Sequence, residues 1–233
     1  MFKKTSRFKP LYKKFVRLRQ NVQNRKKLYN FNRKKWQNLL KFLLKLKRRR
    51  RKIRIYDHNI YYKPRFTFYF KNRFRFKLYT KNRLNLFYGS LSKRYLKLIV
   101  KNALKNVINV NLYFIEILER RIDTILYRSH FVPSIRNARQ LISHGQIFVN
   151  NQQVKNNSYI VKKGDLIDIN LKSHNLIKDN IYGSNKWPIP PNYLQINYKT
   201  FQILLISNVK HSKVIFHFPF WLNINSLIKC YNI

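Results

Sequence analysis

Pro133, Ser134, Ile135, Arg136, Asn137, Ala138, Arg139, Gln140, Leu141, Ile142, Ser143, His144, Gly145, Gln146, Ile147, Phe148, Val149, Asn150, Asn151, Gln152, Gln153, Val154: the hydrophobic period changes once in this stretch, and the change sets the fold class. After the break at Pro133, Ile135, Ala138, Leu141 and Ile142 recur at helical intervals, and Ser134 stands where a hydroxyl can cap the first turn. Gly145 ends the helix because it tolerates the left-handed dihedrals of a helix terminus. Ile147, Phe148 and Val149 then read as a short strand, Asn150 and Asn151 as a tight turn, and Gln153 and Val154 as the return. The outward helix face carries Arg136, Arg139, Gln140 and Ser143, with His144 as the last helical residue. Two guanidinium forks suit phosphate oxygens, while the amide and hydroxyl beside them can reach a ribose 2′-hydroxyl.

Working outward, Ile115, Leu118, Ile122 and Ile125 trace the inward stripe of a preceding helix, braced by Glu116 and Arg120 four residues apart. Arg121 and Arg128, two turns apart, are expected on its outer side facing successive phosphates. Downstream, Lys162, Lys163, Gly164 and Asp165 form a turn before the alternating strand Leu166 to Ile169. Two short helices and a small antiparallel hairpin sheet thus make one compact module.

Charge supplies the functional class. The chain has 51 lysines and arginines against 7 acids, a net charge of +44. Neighbouring cations in a folded lobe lie within the Debye length of roughly 8 Å, so salt does not remove their repulsion. A phosphate-rich partner removes that penalty and gains counterion entropy. With 45% hydrophobic and 16% aromatic residues, the chain has too much apolar surface to remain a solvated tail. Its longest apolar runs fall far short of the roughly 18 residues that would span a bilayer, so no membrane partner is expected. The single cysteine, Cys230, permits no internal disulfide and no multi-cysteine zinc site.

The amino half is the most basic part. Its poverty in acids extends far beyond a leader's length, so no cleavable transit peptide is expected. Trp36, Leu39, Leu40, Leu43 and Leu44 predict an amphipathic helix that runs into the block Lys47 to Lys52. Arg48, Arg49, Arg50 and Arg51 in that block are expected to contact RNA, since consecutive cations repel unless phosphates lie beside them. From Tyr61 to Leu78 the period is two: Arg73, Arg75 and Lys77 alternate with Phe74, Phe76 and Leu78, predicting a strand with one cationic face. Phe66, Phe68 and Phe70 are read as core rings or as platforms for unpaired bases. Ser90 is the predicted cap of a further helix reaching about Ala103, with Leu91, Tyr95 and Leu98 on one side.

Leu118, Glu119, Arg120, Arg121, Ile122 and Asp123 with Tyr127 and Arg128, then Ala138 through Asn150, then Val161 through Asp165, closely resemble the RNA-binding domain named after small-subunit ribosomal protein S-four. Certain pseudouridine synthases, a heat-shock ribosome-recycling factor and tyrosyl-tRNA synthetase carry the same module. Flanking sequence distinguishes them. Tyr88, Gly89, Leu91, Lys93, Arg94 and Tyr95 look like the helix start that precedes the module in the S-four family. Trp187, Pro188, Pro191, Tyr193, Leu194, Tyr198, Lys199 and Thr200, then Leu227 to Tyr231, are similar to its carboxyl end. The resemblance spans roughly residues 84–231 with gaps. It implies binding to the five-prime domain of small-subunit rRNA early in assembly, a place bordering the mRNA entrance channel, and neighbours of the S-five and S-three kinds. Three departures stand out: no amino-terminal cysteine cluster, Asn150, Asn151 and Gln152 in place of an Asn-Gly turn, and an apolar segment at 201–226 with Phe216, Phe218, Phe220 and Trp221. That segment is read as extra core or as a contact for a neighbouring protein.

The expected architecture is α+β: a basic, lineage-specific extension with helices over 1–83, a helical lobe over 84–111, the RNA-binding module over 112–172, and a tail with short strands over 173–233. The expected RNA-binding set is Arg48, Arg49, Arg50, Arg51, Arg73, Arg75, Tyr88, Lys93, Arg94, Arg121, Arg128, Arg136, Arg139, Gln140, Ser143, His144, Lys162 and Lys163. No cofactor, metal, catalytic residue or small-molecule substrate is expected. Only 64 residues with one acid, Asp179, follow Ile169, too few for a pseudouridine synthase domain, and the six histidines fall in no metal spacing. A free-standing RNA-binding factor or chaperone, and less so an RNA-modifying enzyme subunit, are the alternatives. The richness in Lys, Asn, Ile, Phe and Tyr, with two alanines and four glycines, resembles translation from an AT-rich organelle genome. A mitochondrion is the first expectation and a plastid or relict plastid the second.

Overall fold

The computed structural model describes residues 12–18, 22, 33–49, 70–106, 109–184, 190–207, 218, 220, 222 and 224–232. The chain divides into two compact units, one formed by Met1–Arg83 with Pro219–Trp221 and the other by Leu84–Phe218 with Leu222–Ile233. In the first unit α1 (Tyr12–Leu18) packs on α2 (Lys34–Arg49), and Phe15, Leu18, Val22, Trp36 and Leu39 are buried. Of the α2 stripe, Trp36 and Leu39 face inward, whereas Leu44 is 58% exposed. Arg50, Arg51, Phe66 and Phe68 lie outside the described residues.

The strand predicted to end at Leu78 is corrected. Residues Phe70–Phe87 form one helix, α3, with Arg73 and Arg75 in it and Phe74 and Leu78 exposed. Six residues of alternation lose to the longer pattern that follows: Thr80, Leu84 and Phe87 are buried at intervals of four and three, which only a helix brings to one side.

In the second unit α4 (Lys93–Asn106) buries Leu96, Ile99, Val100 and Ala103, while Leu98, expected on one side with Leu91 and Tyr95, is 57% exposed. Its cap is Ser92, whose Oγ accepts from the Tyr95 amide at 3.2 Å; Ser90 instead sits in a left-handed turn at φ 60°. The single helix predicted through Ile115 and Ile125 is two, α5 (Val110–Glu119) and α6 (Ile122–Arg128), although all four stripe residues are buried as expected. The break lets backbone leave the helix and bond a distant segment: the Ile122 amide donates to Tyr159 O at 3.0 Å and the Val161 amide to Arg120 O at 2.9 Å. Arg120 and Glu116 form the expected pair at 3.4 Å.

The predicted second helix is α7 (Ile135–Ser143), and the Ser134 hydroxyl accepts from the Asn137 amide at 3.3 Å. It leads through Gly145 (φ +67°) into β1 (Ile147–Val149) and β2 (Gln152–Gln153). Asn150 and Asn151 both take left-handed dihedrals, φ 49° and 66°, the geometry of the tight hairpin turn whose twist matches its strands. They differ in employment. Asn150 Oδ1 accepts from the Leu166 amide at 3.0 Å and its Nδ2 donates to Asp165 at 3.0 Å, tying the turn to the next strand. Asn151→Gly should therefore raise stability by up to about 1 kcal/mol, whereas Asn150→Gly should lower it by about 1 kcal/mol, measured by urea unfolding.

The sheet is larger than a hairpin. β3 (Leu166–Ile169) pairs with β1, and the carboxyl-terminal β4 (Leu194–Asn197) and β5 (Gln202–Leu205) extend it antiparallel in the order β2-β1-β3-β5-β4. Ile147, Val149, Ile167, Ile169, Ile203 and Leu205 alternate inward into one buried layer. The tail expected to hold short strands also holds two helices, α8 (His174–Ser184), anchored by Ile177 and Ile181, and α9 (Ile224–Asn232), which packs on α4 and α5. Of the apolar cluster, Phe218 and Phe220 are buried; Phe216 and Trp221 lie outside the described residues.

Candidate nucleic-acid interface

Three acids in α5 and α6 organise the module's arginines. Glu119 is fully buried where α5 ends, and four donors reach its carboxylate: Arg128 Nη2 at 2.7 Å and Nε at 3.0 Å, Tyr88 Oη at 2.6 Å and Tyr193 Oη at 2.8 Å. The Arg128 guanidinium also lies over the rings of Phe87 and Phe218, its carbon 4.9 and 5.4 Å from their centroids. Asp123 forms the second knot. Arg121 grips it with Nε at 3.1 Å and Nη2 at 3.0 Å, and Arg139 adds Nε at 2.8 Å.

Arg139 does more than pair. Its Nη1 donates to Gly89 O at 2.7 Å and its Nη2 to Tyr88 O at 2.8 Å, so one planar fork fastens α7 to the turn after α3. Gly89 is required there: its φ is +73°, and a Cβ would stand 2.9 Å from both Arg139 Nη2 and Ile135 Cγ2.

Burial pushes the Glu119 carboxyl upward, but the charge of Arg128 and the bonds from Arg128, Tyr88 and Tyr193 outweigh it and hold it below the ordinary 4.5. The same site raises Arg128, burial acting against it and Glu119 overcoming that, and burial together with the Glu119 charge raises Tyr88 and Tyr193 well above the phenol range. The pair stays ionised and both phenols stay donors at neutral pH. Because the folded Glu119 value lies below the unfolded one, its stabilisation is complete above pH 4.5 and is lost as pH falls through the depressed value. Urea unfolding followed by circular dichroism should show stability falling as the pH is taken below 4.5, and Glu119→Gln should flatten this limb.

These contacts place several of the residues expected on the RNA-facing surface in the interior instead. Tyr88, Arg121 and Arg128 are 2%, 2% and 6% exposed, core residues instead of an outward face, because each answers a buried carboxylate. Arg139, about a fifth exposed, is committed to Asp123 and two carbonyls. Arg136 is half-buried, and Gln140, Ser143 and His144 are exposed at the end of α7. The Ser143 hydroxyl donates to Arg139 O at 2.7 Å and accepts from Asn157 Nδ2 at 3.3 Å. Lys162 and Lys163 are exposed on the turn before β3, Lys93 and Arg94 are exposed on the first turn of α4, and Arg75 is exposed on α3. Arg48 and Arg49 fall at the end of α2.

Sequence reasoning missed Lys97, Lys101 and Lys105. They are exposed and continue from Lys93 at four-residue steps, opposite the buried Leu96, Ile99, Val100 and Ala103. The repeat was readable once the inward side of α4 was known. Among the described residues no group of three or more His, Cys, Asp or Glu could hold a metal, and no helix is long and apolar enough to cross a membrane.

The helices α5 to α7 running into β1 to β3 define the S4-domain class, and a family model of the S4 domain matches residues 120–167. Among similar proteins, the small ribosomal subunit protein uS4 of Pelagibacter ubique is 34% identical over 152 residues, covering 64% of this chain and 72% of that protein. Small ribosomal subunit protein uS4m of Reclinomonas americana is 34% identical over 181 residues, covering 73% and 67%. Small ribosomal subunit protein uS4B of Clostridium acetobutylicum is 38% identical over 144 residues, covering 57% and 73%. The chain belongs to the uS4 family of small ribosomal subunit proteins.

Proposed function

We propose that this chain is a structural constituent of an organelle's small ribosomal subunit. It binds rRNA of the five-prime domain, helps start assembly there, and borders the mRNA entrance channel beside proteins of the S-five and S-three kinds. Its action is binding without turnover: phosphates neutralise surface cations while the buried ion pairs keep the protein surface rigid. The observation that carries this reading is how the cations are divided. Within a chain of net charge +44, the described ion pairs join only Glu116, Glu119 and Asp123 to Arg120, Arg121, Arg128 and Arg139. The exposed cations of α4 and of the turn before β3, Lys162 and Lys163, take part in none of these pairs and face outward, where a polyanion can meet them.

The mitochondrion is the compartment we favour, with the plastid second. The uS4m relative aligns with 73% of this chain, whereas the uS4c relatives of Gracilaria tenuistipitata and Chlorella vulgaris each align with 57%. A filter-binding competition at matched salt tests the RNA reading. Structured small-subunit rRNA should displace the protein from duplex DNA at far lower concentration, and equal competition would reject the reading in favour of a generic polyanion binder.

A further inference from the structure

We propose that the outer stripe of α4, Lys93, Lys97, Lys101 and Lys105 with Arg94 beside its start, is an RNA site separate from the 120–167 match, and that it tracks the phosphate backbone of a double-helical rRNA segment. The inference rests on the reading that the ligand is rRNA, and it adds where the chain holds that ligand and in what form.

Spacing is the first support. Four-residue steps advance about 6 Å along a helix, so the stripe presents a cation every turn over about 18 Å. The side chains are lysines, compact charges on long flexible stems that each adjust to one phosphate without the bidentate geometry that reads base edges. The second support is their lack of internal answer. Helix α4 contains no acid, and none of the described ion pairs involves it. Like charges four residues apart repel, and Lys93 and Arg94 sit at the end of α4 where the helix dipole is already positive. The arrangement is unfavourable by itself and favourable against a phosphate strand.

Presentation is the third. Leu96, Ile99, Val100 and Ala103 hold the opposite face of α4 in the core against α5 and α9, so the stripe cannot rotate away. Last, the exposed surface of α4 lacks what unpaired RNA requires. Single-strand sites interleave cations with rings on which bases stack. The one ring of α4, Tyr95, is half-buried with the Arg121 guanidinium over it at 5.3 Å, and the exposed positions between the lysines are Leu98, Asn102 and Leu104. A backbone track along a duplex fits this surface; a base-stacking site does not.

The test uses the full chain and a transcript of the small-subunit rRNA five-prime domain from the same genome. Lys93, Lys97, Lys101 and Lys105 are changed together to Gln, and a control changes Lys155, Lys172, Lys178 and Lys199, all exposed, to Gln, removing equal charge. Circular dichroism establishes that both fold. The stripe variant should lose about 3 to 4 from the slope of log affinity against log salt, while the control should lose less than about 1. Equal losses, or an unchanged slope in the stripe variant, would overturn the assignment. Hydroxyl radicals tethered at Lys101→Cys in a Cys230→Ser background should cleave paired nucleotides; cleavage confined to unpaired nucleotides, or none, would overturn the duplex assignment. Failure of the unaltered chain to prefer rRNA over DNA would sink the ribosomal reading instead, so the two failures are distinguishable.

Discussion

Glu119→Ala should lower the stability of the second unit by about 3–5 kcal/mol, read as a shift of the urea midpoint at constant slope, because it strands the Arg128 guanidinium in the core. Glu119 is wholly buried and accepts every bond that Arg128, Tyr88 and Tyr193 are shown to donate to it, so its removal also leaves two phenols without an acceptor. Replacing the whole knot is a different matter. Glu119→Leu with Arg128→Met, Tyr88→Phe and Tyr193→Phe removes every stranded group together and should recover most of the loss, since apolar residues of similar volume often match a buried ion pair. The knot's contribution is then geometric: it fixes the end of α3, the α5–α6 break and the segment before β4 against one carboxylate. Arg128→Met that weakened RNA affinity while leaving the midpoint in place would show that Arg128 serves the ligand and not the core.

Arg139→Lys should cost about 2 kcal/mol although it preserves charge, because one ammonium cannot reach Asp123, Tyr88 O and Gly89 O in the directions that a planar fork does. Gly89→Ala should cost at least about 1–2 kcal/mol from its left-handed backbone alone, before the clash with Arg139 and Ile135 is added. The two sites should couple. In an Arg139→Ala background one of the clashing groups is gone, so the cycle should be non-additive by more than about 0.5 kcal/mol. Additive losses would mean that Arg139 does not hold the Gly89 turn.

Much of the module was legible because its signals are local. The α7 stripe, the Ser134 cap, Gly145 and the paired asparagines each act within a few residues, and their order specified a helix feeding a hairpin. What escaped was governed by distant partners. The stripe of Ile115, Leu118, Ile122 and Ile125 stays in phase through the α5–α6 break, so periodicity could not reveal it; the cause is backbone bonding to residues 159–161. The alternation of Arg73 to Leu78 is real in the sequence but too short to outweigh the helical burial of Thr80, Leu84 and Phe87. Charge alone could not separate the buried, paired arginines from the exposed cations either. Arg121 and Arg128 look like any basic pair two turns apart until Asp123 and Glu119 are seen behind them. One clue was available: in a chain with 7 acids, three fall between positions 116 and 123, and acids that rare are expected to sit where arginines need holding.

Sedimentation of the tagged chain from organelle lysate, followed by crosslink mapping of its RNA, tests the central claim most directly. The expected result is comigration with small subunits and their precursors and crosslinks within the five-prime domain of the rRNA. Recovery of the chain only in fractions free of such particles would contradict it.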